Sequence, residues 1–514
     1  MLSFVRRKFN SLLAVATLTM SVNYIVMLSG SVIVGNLVGA DGLAGVNVCT
    51  PVFGIVSFLA ALLSVGTALT FSRAMGTFDE NHAARIVTQS GILAVLLALV
   101  IAGSLPLLET WFLDLAGVTG SIRLEAAHYW KYQTLAMALT PLVLLAEALV
   151  YADGDGSVAA LAGLVHVIGS VGLSALFAKI TGHAGGAPLG TTLAMTGVLA
   201  VCALHGFRES NHLRPHLPIA FSWSDFREML AASLADSTIY LCWGVLVLIV
   251  NLFTVSRFGQ GSLPLVALAA SVVEFSIVFD GVGEALIPLG GMYDGEGNKP
   301  ALRELANHAA LMATAEGIVF GILFFSFAPI LAAWYGIRGE AASLLPEATT
   351  LIRTLACAMP FMGLLMMVNT HFLVVRHIPL AVAVTVVKDF ACPTIGALSL
   401  GSLLGIHGLW IGFAVGYAIA ALFPFVTVRL VYGARLFPWL IEPDDGNSVN
   451  FSCRVGGRTV EFFVERRADS SLRLIVRTEG TELPPVDVRE ATSVRTLNTL
   501  GCNRTEYIFK GKEP

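Results

Sequence analysis

The feature that most constrains this chain is a series of apolar runs, each long enough to cross a bilayer, separated by short polar breaks. A spanning helix needs about 20 mostly apolar residues. Twelve stretches qualify, at approximately 11–39, 43–71, 86–108, 128–150, 158–180, 188–206, 228–254, 264–290, 306–333, 350–374, 379–400 and 408–432. In lipid only a helix or a closed barrel satisfies its own backbone polar groups, and runs of this length select the helix. The expected fold is therefore an all-α integral membrane protein of twelve transmembrane helices. Composition agrees: 56% of residues are hydrophobic and 13% charged, with mean hydropathy +0.78, against about 25% charged in soluble domains. A net charge of −4 offers nothing to hold nucleic acid. Several runs exceed one bilayer crossing, so tilt or kinks are expected. Pro51, Pro141, Pro288, Pro360 and Pro393 each remove a backbone donor within or near a run. No small-residue cleavage site follows Arg6–Lys8, so the first run reads as a span and not a signal peptide.

The chain then says nearly the same thing twice. VGTALTFSRAMG at 65–76 runs on through Asp79, Glu80 and Arg85; VGEALIPLGGM at 282–292 runs on through Asp294, Glu296 and Arg303. Each copy reads as a glycine-containing helix end (Gly66, Gly283) followed by an acidic turn that starts the next helix. SLPLLETWF at 104–112 and SFAPILAAWY at 326–335 then close the following helices alike. Two equivalent six-helix halves around a cavity form a transporter layout. The expected boundaries are 1–222 for the first half with its connector, 223–445 for the second, and 446–514 for an extension.

Basic residues orient membrane proteins by gathering on the cytoplasmic side. Arg6, Arg7, Lys8, Arg73, Arg85, Arg208, Arg214, Arg227, Lys299, Arg303, Arg376, Arg429 and Arg435 share one side of a twelve-span arrangement. Arg123, Lys131, Arg257, Arg338 and Arg353 fall on the other. Both termini are thus expected in the cytoplasm, with loop 181–187 outside.

At this point the chain resembles the MATE (multidrug and toxic compound extrusion) family, within the superfamily that also includes polysaccharide and lipid flippases. The resemblance spans roughly residues 12–435. It rests on GADGLAGVNVCTPVFGIVSFLAALLSVGTALTFSRAMG, YADGDGSVAAL, GVGEALIPLGGMYDGEGNKPALRELANHAAL and GIHGLWIGFAVG. It implies export of organic cations or similar amphiphiles by alternating access, driven by inward H⁺ or Na⁺, in the bacterial cytoplasmic membrane. Family members often carry an aspartate in the first helix, where this chain has Gly30 in GSVIVG. The tenth-helix aspartate is also missing from FMGLLMMVNTHFLVV, whereas the seventh helix keeps Asp236 in SLADSTIY.

A charge inside a span costs about 2.5–3.5 kcal/mol on insertion scales, so each one is a candidate. Glu147, Asp236, Glu274, Asp280, Glu284 and the adjacent Lys388 and Asp389 qualify. Asp236 and Glu274 are the expected coupling-cation ligands. Glu147, Asp280, Glu284, Asp389, Asn23 and Asn369 are candidates for the cavity or its gates. On one continuous helix, Glu274 and Glu284 share a face and Asp280 does not. Each has a plainer alternative. Glu147 snorkels or meets a helix end. Asp280 and Glu284 are helix-end charges. Lys388 and Asp389 pair with neighbouring helices. Asn23, Asn251 and Asn369 bond between helices. His166 packs in a core, and the DGDG stretch is a turn.

Residues 446–514 hold eleven of the 31 Lys and Arg residues. FSCRVGGRTVEFFVERR and SLRLIVRTEG alternate apolar and polar residues, as strands do, with VGGR as a hairpin turn. A small soluble β-rich or α+β unit is expected, open to a cytoplasmic partner and dispensable for transport. Its end resembles the closing strands of the anti-sigma-factor-like ATPase fold, without that fold's asparagine helix. With no Walker A motif either, no ATP hydrolysis and no enzyme activity are expected. The seven cysteines lack CxxC or Cys/His metal spacing, so no metal and no cofactor beyond H⁺ or Na⁺ is expected. A monomer handling a small-molecule substrate among membrane lipids is the leading reading. The alternatives are a lipid-linked oligosaccharide or lipid flippase, and a membrane sensor that signals through the extension. Flippases tend to line their cavities with basic residues, whereas Lys388 is the main mid-span base here.

Overall fold

The computed structural model describes residues 3–76, 79–153, 155–208, 211, 213, 221–337, 339–433, 439–441, 447–455, 458–467, 471–479, 491–499 and 502–509. Six helices make the first half: α1 (Phe4–Leu37), α2 (Ala40–Gly76), α3 (Glu80–Leu115), α4 (Gly120–Ala152), α5 (Gly156–Thr181) and α6 (Gly186–Ala203). The second half is α7 (Trp223–Phe258), α8 (Leu263–Glu274), α9 (Asp280–Glu296), α10 (Lys299–Trp334), α11 (Leu345–Ala356), α12 (Met359–Val374), α13 (Ile378–Val386), α14 (Cys392–Leu404) and α15 (Ile406–Thr427). Among the described residues ten helices are long and apolar enough to cross a membrane, or eleven if α11–α12, bent by 44°, count as one span, against the twelve expected. The first expected span falls in the 34-residue α1. This is a multi-pass membrane protein, and its helical body has its core between helices and its apolar rim outward.

The repeated stretches build the same corner twice. Asp79 caps α3 by accepting from His82 N–H at 2.9 Å, and Asn298 caps α10 by accepting from Ala301 N–H at 3.1 Å. Each side chain satisfies a donor that the first helical turn leaves open. Pro106 and Pro329 sit at matching places inside α3 and α10. The two glycines differ from expectation: they lie within helices, not at their ends. A side chain at Gly66 would strike the Met229 carbonyl of α7, and one at Gly283 would come within 2.7 Å of Thr370 Oγ1 on α12. Their task is close helix approach.

The first helix of each half packs against the opposite half. α7 lies along α2, where Gly54 meets Gly244 and Asn47 Nδ2 donates to Asn251 Oδ1 at 2.7 Å. Asn251 returns a bond to the Asn47 carbonyl at 3.2 Å, so this asparagine joins helices as the plainer reading held. α1 makes the reciprocal contact through a polar stripe seven residues apart, a spacing close to two helical turns. Ser3 donates to Glu304 at 2.7 Å, Asn10 bonds His308 at 2.7 Å, Thr17 donates to Glu316 at 3.0 Å and Tyr24 donates to the Ser271 carbonyl at 2.9 Å.

The extension is a five-stranded antiparallel sheet: β1 (Ser448–Val455), β2 (Arg458–Arg466), β3 (Leu472–Glu479), β4 (Ala491–Thr499) and β5 (Cys502–Phe509), in the order β1-β2-β3-β5-β4. The β-rich reading holds, and no helix occurs among its described residues. The hairpin residues 456–457 lie outside the described residues. The sheet is not a free unit. Glu461 and Arg477, opposite each other on β2 and β3, are fully buried and meet the end of α9. Arg477 pairs with Glu461 at 2.5 Å and with Glu296, and its guanidinium lies 4.8 Å over the Tyr293 ring. Phe4 N–H donates to Ser452 Oγ at 3.2 Å, which places the start of α1 and the sheet on one face of the bundle. The linker is anchored too: Trp439 Nε1 donates to Asn307 at 2.7 Å, and His371 Nε2 donates to the Trp439 carbonyl at 2.6 Å.

Candidate functional site

Two helices of the second half break where the sequence places charge. α8 ends at Glu274 and continues as a 3₁₀ turn over Phe275–Phe279 before α9 begins at Asp280. The run is β-branched and aromatic (Val272, Val273, Phe275, Ile277, Val278, Phe279), which are weak helix formers. The facing inferred for one continuous helix therefore fails: Glu274, Asp280 and Glu284 do not follow a single helical screw. Glu274 and Asp280 are half-buried and Glu284 is exposed.

Around the break stands an aromatic cluster. Phe275 meets Tyr24 at 5.0 Å, Phe320 at 4.9 Å and Phe324 at 4.6 Å between ring centres. Tyr24 and Tyr335 share a hydrogen bond at 3.0 Å. Glu274 lies beside Trp243 of α7 and within electrostatic reach of Tyr24 of α1, Tyr335 and Tyr129 of α4. Helices of both halves thus converge on this one carboxyl group. Beside it, Trp243, Val247, Val250, Val266, Val273 and Phe413 line a small apolar cleft.

Lys388 and Asp389 lie in a π turn over Val387–Ala391, between α13 and α14. Neighbours in an α-helix do not face each other. The wider π turn brings them together, with Lys388 Nζ 2.6 Å and 2.8 Å from the Asp389 oxygens. They pair with each other, whereas the plainer alternative had them pair with neighbouring helices. Lys388 is only 3% exposed along its side chain. Asn369 accepts from Thr385 at 3.3 Å, joining α12 to α13.

In the first half, Glu147 of α4 sits 3.7 Å from His166 of α5, so two residues read separately are partners. At the ends of α4 and α6, His205 lies between Asp153 at 2.7 Å and Asp155 at 2.9 Å. Asp155 also caps α5 by accepting from Val158 N–H at 3.2 Å, which bears out the turn reading of DGDG. The bond from His205, then that from Ser157, holds the Asp155 carboxyl down at about 2. A Cβ at Gly30 would meet nothing within 4 Å, so the position where the family often has aspartate is open space here. The side chains of Asp236, on α7, and Asn23, on α1, lie outside the described residues.

The mid-span reading passed over Glu316 of α10. It is a lone acid in an apolar run, so the criterion that selected the others selects it as well. The α1 stripe Ser3, Asn10, Thr17 and Tyr24 was also legible as a seven-residue spacing. No group of three or more metal-ligating side chains occurs among the described residues.

Residues 15–176 match the family described as MatE. The fold is that of MATE transporters. A multidrug resistance MATE family transporter of the MOP superfamily in its inward-facing conformation matches with a TM-score of 0.74 at 22% identity, over 81% of this chain and 97% of that one. The outward-facing conformation of a multidrug resistance MATE family transporter matches with 0.65 at 22% identity, over 83% and 95%. A MOP superfamily transporter from Pyrococcus furiosus, for which reversed polarity of the binding pocket suggests a different function, matches with 0.67 at 22% identity, over 83% and 95%. No functionally curated protein matches the chain.

Proposed function

We propose that this chain, a membrane protein with a MatE domain and a MATE fold, is a secondary-active antiporter. It exports organic, cationic or amphiphilic compounds across the bacterial cytoplasmic membrane by alternating access, driven by H⁺ or Na⁺. The observation that carries the reading is Glu274: a carboxyl group at a helix break, met by α7 on one side and near α1 and α4 on the other. A charge there belongs to neither half alone. Binding a cation neutralises it and changes which packing of the halves is favoured, which is how a ligand shifts a two-state equilibrium. Asp236, on α7 with Trp243, is the second expected ligand. The cationic substrate competes for the same charge. The pairing of Lys388 with Asp389 favours efflux over phosphate-bearing lipid substrates, because it leaves that mid-span base neutralised.

The test is dye efflux in inverted vesicles with an imposed pH or Na⁺ gradient. Asp236→Asn and Glu274→Gln each abolish gradient-driven export while dye binding remains. Wild-type export by both variants overturns the site.

A further inference from the structure

We propose that Glu316 is a second coupling-cation site, and that its occupancy decides whether α1 stays docked on α9 and α10. This deepens the antiporter reading and rests on it. Glu316 Oε1 accepts the Thr17 hydroxyl at 3.0 Å, while Oε2 is buried with no hydrogen-bond partner. The contact is tight: a side chain at Gly281 of α9 would come within 2.7 Å of the Thr17 backbone. On the far side, Gly317 lies against Met359 and Pro360, and Gly321 against Ala356. Asp280 and Glu284 flank Gly281 on α9 and have interactions of their own. Thr17 supplies a polar contact to the carboxyl.

Glu316 is half-buried, and a carboxylate whose second oxygen is buried without a partner is tolerated when something neutralises it. A proton on Oε2, or a Na⁺ ion beside it, does so and leaves the Thr17 bond intact. When the cation leaves, the bare charge has the Thr17 hydroxyl but no counter-charge, and its second oxygen draws water into the contact. α1 then separates from α9 and α10. Since α1 begins the first half and α10 belongs to the second, Glu316 reads cation occupancy directly into the contact between halves. His308 lies two turns earlier on the same face of α10 and bonds Asn10, so the docked stretch is continuous.

The test uses the full chain in proteoliposomes. Glu316→Gln keeps the acceptor for Thr17 but never ionises. Its gradient-driven dye export falls to the level seen without a gradient, while dye binding persists. A merely structural carboxyl predicts rescue by Gln, and wild-type export by Glu316→Gln overturns the proposal. The second measurement places cysteines at Asn10 and His308 in a chain otherwise free of cysteine, which also removes the nearby imidazole. Because cysteines oxidise through their thiolates, cross-linking is read as the ratio of the Glu316 chain to the Glu316→Gln chain at each pH; the ratio falls as pH rises, and a ratio independent of pH overturns the proposal. If Glu316→Gln does not fold, Thr17→Val decides: a shifted pH midpoint of export supports the site, and an unchanged midpoint refutes it. Asp236→Asn and Glu274→Gln are run alongside. Their normal export beside a dead Glu316→Gln removes those two residues from the coupling site and leaves this one standing.

Discussion

The two halves of the chain start from one repeated pattern and end in different states of order. In the first half α2, α3, α4 and α5 run unbroken for 26 to 37 residues. Its span charge Glu147 has a histidine partner, and its loop-end acids Asp153 and Asp155 are tied to His205. In the second half one span turns 3₁₀ after Glu274, one bends by 44° and one opens into a π turn at Lys388 and Asp389. Glu274, Glu316 and Asp389 lie in or beside those irregular spans. A break frees backbone groups that lipid cannot satisfy, so breaks persist where they line a site or are buried in protein. The comparison teaches that the repeat sets helix order and corners, while mid-span acids and irregular backbone gather in the second half, where we propose that coupling takes place.

The largest expected effect tests how the second half is closed. Arg477→Met leaves Glu461 and Glu296 both buried without their shared counter-ion. Breaking a buried ion pair in this way costs about 3–5 kcal/mol. Truncation after Asp445 removes the sheet and lets Glu296 reach water, so it costs the helical body less. We expect thermal unfolding in detergent to fall further for Arg477→Met than for the truncation, with export retained by the truncated chain. The opposite order would mean that the sheet holds the bundle together.

The equivalent glycines come next. Gly66→Ala pushes a methyl group into the Met229 carbonyl, a backbone atom that cannot step aside. Overpacking of this kind costs about 1–3 kcal/mol. Gly283→Ala meets a threonine hydroxyl that can rotate, so its loss in melting temperature should be smaller. Equal losses would erase the distinction between the two contacts.

The smallest effect concerns the loop-end acids of the first half. Asp155 is held at about 2, below its ordinary 3.8, chiefly by the bond from His205. A depressed carboxyl stabilises the fold above its unfolded value, and the contribution fades as pH falls from about 4 toward 2. The melting difference between wild type and Asp155→Asn should therefore be full at neutral pH and narrow below about pH 4. A difference independent of pH would remove the ionised form from the account.

Much of this was legible from residues. The apolar runs located the spans, and VGTALTF and VGEALIP gave the matching corners, because helix length and capping are local. The exchange of α1 and α7 between halves was not legible, since a helix apolar all round does not announce which neighbour it meets. Only the stripe from Ser3 to Tyr24 carried that information. The alternation of the strands does not reveal that Glu461 and Arg477 are buried, because that burial comes from docking onto Tyr293 and Glu296. The mutual pairing of Lys388 and Asp389 was hidden because adjacent residues diverge on an ordinary helix, and nothing local specifies a π turn.

The central claim is that coupling belongs to the second half, and one measurement addresses it most directly: gradient-driven dye efflux by Glu274→Gln and Glu147→Gln in the same inverted vesicles. Both substitutions remove a span carboxylate and keep its shape. The account predicts that Glu274→Gln loses gradient-driven export, while Glu147→Gln, which forfeits only a partly exposed pair with His166, exports at close to the wild-type rate. Loss with Glu147→Gln and retention with Glu274→Gln would contradict it.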